Sequence, residues 1–159
     1  MKIHKYRGQY KGTNFELSCI LERVNKEGLD MKAVAAFSGF SVKDLAEAKD
    51  FYKGKLGLKL NDEKMGLDFS LPGGGKMFIY QKDSHEPATF TILNFVVEDI
   101  DEAVKDLKSK GITFEQYDFG GGAKTDANDI MRGLAAKQGP DIAWFKDPDN
   151  NILAVLQAK

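Results

Sequence analysis

One cysteine, Cys19, stands in 159 residues, so no internal disulfide can form and no cluster of thiolates can hold a metal. A reducing, cytoplasmic setting suits such a chain. Histidine is nearly as scarce: His4 and His85 are the two imidazoles, whereas zinc and iron centres usually draw on two or three. Both are read as solvated surface residues, which leaves no nucleophile–base pair to assemble. Neither sign of charge is in surplus, with 23 basic and 24 acidic residues and a net charge of −1. No field therefore draws the chain to nucleic acid or to an anionic membrane. No apolar run approaches the roughly 20 residues of a membrane helix, and the basic opening MKIHKYRGQYKG lacks the apolar centre of a signal peptide. The glycine runs at 73–75 and 120–122 lack the spacing of a phosphate-binding loop.

What is present is a duplication. FSVKDLAEAKDFYKGKL at 40–56 aligns with FVVEDIDEAVKDLKSK at 95–110 at an offset of 55, matching Phe40, Val42, Asp44, Glu47 and Ala48 to Phe95, Val97, Asp99, Glu102 and Ala103. Each copy is an alternating strand that ends at an Asp placed to cap a helix, with Glu three residues on. Leu45, Ala48, Phe51 and Tyr52, and Ile100, Ala103 and Leu107, recur at helical spacing, so each helix lays one apolar stripe on a sheet. Short strands are expected at 58–61 and 112–117. Each copy then closes with a hairpin cornered by Pro, LPGGGKMFIYQ and DPDNNILAVLQ. The corner DPDNN is read as a turn saturated by its own side chains, with Asn150 in the left-handed conformation that Asn tolerates.

Each unit reads βαβββ, which makes the chain α+β. The expected fold is two modules forming an open, cup-shaped mixed β-sheet barrel with helices outside. Domains are expected at 1–30, an extension with a helix over 14–26; at 31–86, the first module; and at 87–159, the second, with an inserted flap at 118–140 containing a short helix over 128–137. Alternation turns Phe40, Val42, Met77, Ile79, Phe95, Val97, Leu153 and Val155 toward the helices. It turns Phe37, Gly39, Ser41, Phe78, Tyr80, Ile92, Asn94, Ala154 and Leu156 to the opposite face, into the cup.

The paired units, the SVKDLAEAKDFY strand-to-helix motif and the closing FKDPDNNILAV resemble the vicinal oxygen chelate superfamily over residues 33–157. That superfamily includes glyoxalase I, bleomycin-resistance proteins, fosfomycin-resistance enzymes and extradiol dioxygenases. The segment FEQYDF…KT…AWFKDPDNNILA further resembles a bacterial glyoxalase-like subgroup. The resemblance implies homodimerisation and, in metal-dependent members, a ligand seven residues before each capping Asp and a Glu in the last strand of a module. In this sequence those positions are Phe37, Ile92, Ala154 and, by the repeat, Phe78. None has a lone pair for a divalent cation, so neither a metal nor a cofactor is expected.

The resulting expectation is a metal-free cup that binds a small hydrophobic or aromatic molecule through Phe37, Phe78, Tyr80, Ile92, Asn94, Trp144 and Ala154, with Arg132 and Lys124 reaching from the flap to an anionic or carbonyl group. The alternative is a glyoxalase-like lyase or isomerase acting on a small carbonyl compound with non-standard or no metal ligands. Asp68, Tyr80, Tyr117 and Asp118 are its candidate acids and bases. The expected partners are a small-molecule ligand and a second copy of the chain.

Overall fold

A computed structural model describes the backbone of Ile3–Tyr10 and Thr13–Ile20 and the whole of residues 35–158. Ile3–Tyr10 (β1) and Thr13–Ile20 (β2) pair antiparallel, with Tyr10 opposite Thr13 and Ile3 opposite Ile20. The helix expected over 14–26 is therefore corrected to a strand across its first half, and 21–26 lie outside the described residues. Phe15, Leu17 and Cys19 alternate with Asn14, Glu16 and Ser18, and a partner strand two residues upstream makes that period of two prevail over the capping-box signal at Thr13 and Glu16.

The duplicated units follow. The first comprises β3 (Ser38–Val42), α1 (Leu45–Lys49) running on into a π-helical segment (Asp50–Lys55), β4 (Leu60–Glu63), β5 (Gly66–Ser70) and β6 (Lys76–Gln81). The second comprises β7 (Thr91–Val96), α2 (Ile100–Ser109), β8 (Met131–Arg132), α3 (Gly133–Ala136), β9 (Asp141–Lys146) and β10 (Ile152–Gln157). The sheet orders are β3-β6-β5-β4 and β7-β10-β9-β8. In each sheet the first strand pairs parallel with the last, β3 with β6 and β7 with β10, and the remaining pairs are antiparallel. The molecule is thus two mixed sheets of one topology, not closed into a barrel, an arrangement compatible with cup-shaped walls.

Both helices begin as the repeat predicts. Asp44 accepts from the amides of Ala46 and Glu47, and Asp99 from that of Glu102, satisfying donors that a helix start leaves bare. The wider turn after α1, closed by Leu56 N–H on the Phe51 carbonyl at 3.1 Å, lets consecutive residues Phe51 and Tyr52 both enter the core. Tyr52 stacks on Phe69 of the first sheet, while Phe51 meets Phe145 of the second at 6.4 Å. One core therefore joins the helix-side faces of both sheets, including Val42, Ile79, Leu153 and Val155. The opposite faces look outward.

Two expectations in the second unit are corrected. The strand predicted over 112–117 shrinks to a single bridge, Phe114 to Phe145, because the inserted segment takes over the rest of that edge through Met131 opposite Ile142 and Arg132 opposite Asp141. The helix predicted over 128–137 is confined to Gly133–Ala136. Asp126 Oδ1 accepts from the amides of Asn128 and Ile130, which holds 126–130 in a turn that competes with helix. At Gly133 any Cβ would collide with the Pro140 carbonyl oxygen, so the chain passes only as glycine.

Candidate functional site

The outward face of the first sheet carries an aromatic row. Phe37 meets Phe78 edge-on at 6.4 Å, and Phe78 stacks on Tyr80 at 6.4 Å with the ring planes 16° apart. Phe37 is 56% exposed and Tyr80 39%, leaving a wall of ring surface that the described residues do not cover. Beside Phe78, in register on β5, lies Asp68. It is buried although it sits on the cup face, and it accepts from Asn61 Nδ2 at 2.8 Å and Lys76 Nζ at 3.0 Å. A buried carboxylate requires such donors.

The outward face of the second sheet has its own row, with Ala154 between Asn94 on β7 and Trp144 on β9. Ala154 is fully buried, while Asn94 is exposed. The ladder slips by one residue at Ile152 and Leu153, so Ile92 falls in a bulge and stays half-buried. Trp144 contacts Tyr117 at 5.4 Å and Phe119 at 5.9 Å, both edge-on. Phe119 leads into the three glycines of the insertion and is 62% exposed. Lys146, farther along β9, pairs with Glu115 at 2.8 Å, and that carboxylate raises the lysine above its ordinary range.

The expected site residues thus form two groups, Phe37, Phe78 and Tyr80 on one sheet and Ile92, Asn94, Trp144 and Ala154 on the other. One chain does not bring the two groups together, because the sheets share a core through their other faces. Sequence alternation assigns residues to faces but is silent on which way two sheets are stacked.

Arg132 is brought to neither group. Its guanidinium bonds Asp101 at 2.6 Å and Asp126 at 2.8 Å, and it reaches Asp141 at 3.4 Å. The bond from Arg132 holds Asp101 below the ordinary carboxylate range; at Asp126 burial acts upward, but Arg132 and two backbone amides outweigh it. Lys108 on α2 bonds Asp129 at 2.7 Å and the Asn128 carbonyl at 3.1 Å. The inserted flap is therefore tied to α2 along 126–132.

The DPDNN corner also does more than saturate itself. Asp149 Oδ2 accepts from the Lys43 amide at 2.9 Å, and Asn151 Nδ2 donates to the Ser41 carbonyl at 3.1 Å, so the corner of the second unit seats on the strand-to-helix turn of the first. His85, expected in solvent, is half-buried against the same corner. The long separation of these partners left no spacing signal to find. Asn150 adopts φ 66°, as the reading of the turn required.

The positions that the family resemblance assigns to metal ligands do not fit a metal here. Phe37, Phe78, Ile92 and Ala154 offer no donor atom, and among the described residues no three His, Cys, Asp or Glu side chains converge to hold an ion. No helix among them is long and apolar enough to cross a membrane.

Comparison with known proteins places this geometry. No curated protein sequence matches the chain. Among solved structures, the fosfomycin resistance protein FosX of Listeria monocytogenes is 17% identical, covering 80% of this chain and 94% of its own, with a TM-score of 0.55; FosX has also been solved, as a mutant, with Mn(II) and 1S,2S-dihydroxypropylphosphonic acid. TnmS3, an antibiotic-binding protein of a Streptomyces species, is 22% identical over 80% of this chain and 98% of its own, with a TM-score of 0.54. A glyoxalase family protein of Enterococcus faecalis is 22% identical over 80% and 99%, also at 0.54. At such identities the likeness is one of fold. The family profile matches residues 34–155, and the chain belongs to the Glyoxalase/Bleomycin resistance protein/Dioxygenase superfamily.

Proposed function

We propose that the protein binds a small hydrophobic or aromatic molecule in a cup that needs no metal. The carrying observation is the uncovered aromatic wall of Phe37, Phe78 and Tyr80. Apolar walls with a few polar groups are what a small-molecule site requires, and Asn94 and the Asp68–Lys76 pair supply the polar groups. TnmS3, described as an antibiotic-binding protein, supports capture as a role open to this fold.

The cup is completed by a second copy of the chain, in whose homodimer the Phe37–Phe78–Tyr80 wall faces the partner's Asn94–Ala154–Trp144 wall. The Phe37–Phe78–Tyr80 wall in isolation exposes apolar surface, and association removes it from water. The setting is the cytoplasm, which suits the lone Cys19.

Trp144 is the chain's sole tryptophan, so its emission reports on the cup directly. A panel of planar aromatic compounds titrated into protein purified without chelator is expected to quench Trp144 saturably, before and after dialysis against EDTA. Sedimentation is expected to give twice the chain mass. A stoichiometric divalent ion in the purified protein, or no saturable quenching across the panel, overturns the reading. The second reading, a lyase or isomerase acting on a small carbonyl compound, draws on Asp68, a carboxylate held beside Phe78; turnover abolished by Asp68→Asn would establish it.

A further inference from the structure

Ser41 lies on β3 opposite Tyr80, on the face turned away from the helices. Its Oγ is 2.8 Å from His85 Nδ1, and His85 Nε2 is 3.1 Å from the Asp149 carbonyl oxygen. A carbonyl oxygen can only accept, so Nε2 carries the ring proton and donates it. In the neutral ring Nδ1 is then bare and accepts from the Ser41 hydroxyl, the tautomer that a general base for that serine needs. A nucleophile and a base within 2.6–3.2 Å, the base oriented by a third group, is the arrangement by which weak hydroxyl nucleophiles are activated. The expectation that no such pair could form is corrected: residues 41 and 85, which are 44 apart, meet because the chain leaving β6 turns back over the end of β3. Ser41 and His85 are both partly buried, neither being closed off in the core.

We propose that Ser41 is an acylatable nucleophile with His85 as its general base, acting on a small activated ester whose apolar part lies against Tyr80 and Phe78. Ser41 Oγ bonds to the ester carbonyl carbon as its proton passes to His85 Nδ1. Collapse of the tetrahedral adduct breaks the bond to the leaving oxygen, which takes that proton from Nδ1. Water then attacks the acyl-serine, giving its proton to the same nitrogen; collapse returns the proton to Ser41 Oγ and releases the carboxylic acid. The pair lies within one chain, so the chemistry does not rest on the dimer; only the seating of the ester's apolar part against Tyr80 and Phe78 rests on the ligand-binding reading.

The test uses p-nitrophenyl acetate for turnover and phenylmethylsulfonyl fluoride for labelling, read by intact mass and peptide mapping. The wild type is expected to release p-nitrophenol and to carry one sulfonyl adduct on Ser41. Ser41→Ala is expected to lose both. His85→Gln keeps an amide donor for the Asp149 carbonyl but has no base, and is expected to label about 100-fold more slowly. A native protein that neither turns over nor labels, an adduct that survives in Ser41→Ala, or a His85→Gln rate equal to the wild type overturns the proposal. Matching circular dichroism spectra for the two variants separate loss of chemistry from loss of fold.

Discussion

The Tyr52 hydroxyl donates to Asp147 Oδ2 at 2.8 Å across 95 residues of chain, a buried bond from the helix of the first unit to the corner of the second. Asp147 also accepts from Asn151 Nδ2 at 2.8 Å on the same oxygen, and on Oδ1 from the amides of Asn151 at 2.8 Å and Asp149 at 3.0 Å. Burial pushes the Asp147 carboxyl above its ordinary range, although these donors oppose the rise. Burial, together with the Asp147 charge, pushes the Tyr52 phenol well up, so it remains a donor.

All four bonds are donated to Asp147, and three come from N–H groups that cannot accept. Asp147→Asn places an NH2 group against at least one of these N–H groups, and despite removing a buried charge it is expected to destabilise the fold by about 2–3 kcal/mol. Urea denaturation checks this; a stability equal to the wild type would mean that desolvation of the charge outweighs its bonds. Tyr52→Phe removes a single donor and leaves Oδ2 bonded to Asn151, so a smaller loss of about 1–2 kcal/mol is expected.

Arg132 sets an acid limit on stability. Asp101 and Asp126 titrate below their unfolded values because Arg132 bonds them. Their contribution is therefore complete above the unfolded carboxylate pKa, about 3.9, and is lost as pH falls through the lower folded values. Arg132→Met is expected to flatten the fall in stability below about pH 4, measured by urea denaturation through the acid range. An unchanged acid slope would show the network to be energetically idle.

Asn150 sits at φ 66°, where a β-carbon is strained. Asn150→Gly is expected to hold or raise stability by a few tenths of a kcal/mol, and Asn150→Ala to lower it by about 1 kcal/mol. The difference in thermal midpoint between the two variants reads this directly.

Ala154 stands at the position to which the family resemblance assigns a Glu, and it is fully buried between Asn94 and Trp144. Ala154→Glu is expected to cost about 3 kcal/mol by burying an unpaired carboxylate without a converging donor set. Isothermal titration with Mn(II) is expected to show no stoichiometric binding, and tight binding would refute the account of the site.

The duplication, the capping Asp residues, the Pro-cornered hairpins and the side of each sheet that meets the helices were all legible in the sequence. Each rests on local periodicity or on the chemistry of one turn, which a linear chain displays. The extension was misread because pairing with a neighbouring strand overrode the local capping signal at Thr13, and the insertion because the Asp126 carboxylate holds 126–130 in a turn that competes with helix. Alternation also named the apolar positions Phe37, Phe78, Ile92 and Ala154, since a residue's face follows from its parity. Only the tertiary structure decided that the two outward faces do not meet within one chain, that Arg132 is bound by carboxylates, and that Ser41, His85 and the corner at Asp149 come together. Those contacts join residues tens of positions apart, and their geometry follows from how two sheets stack on one core.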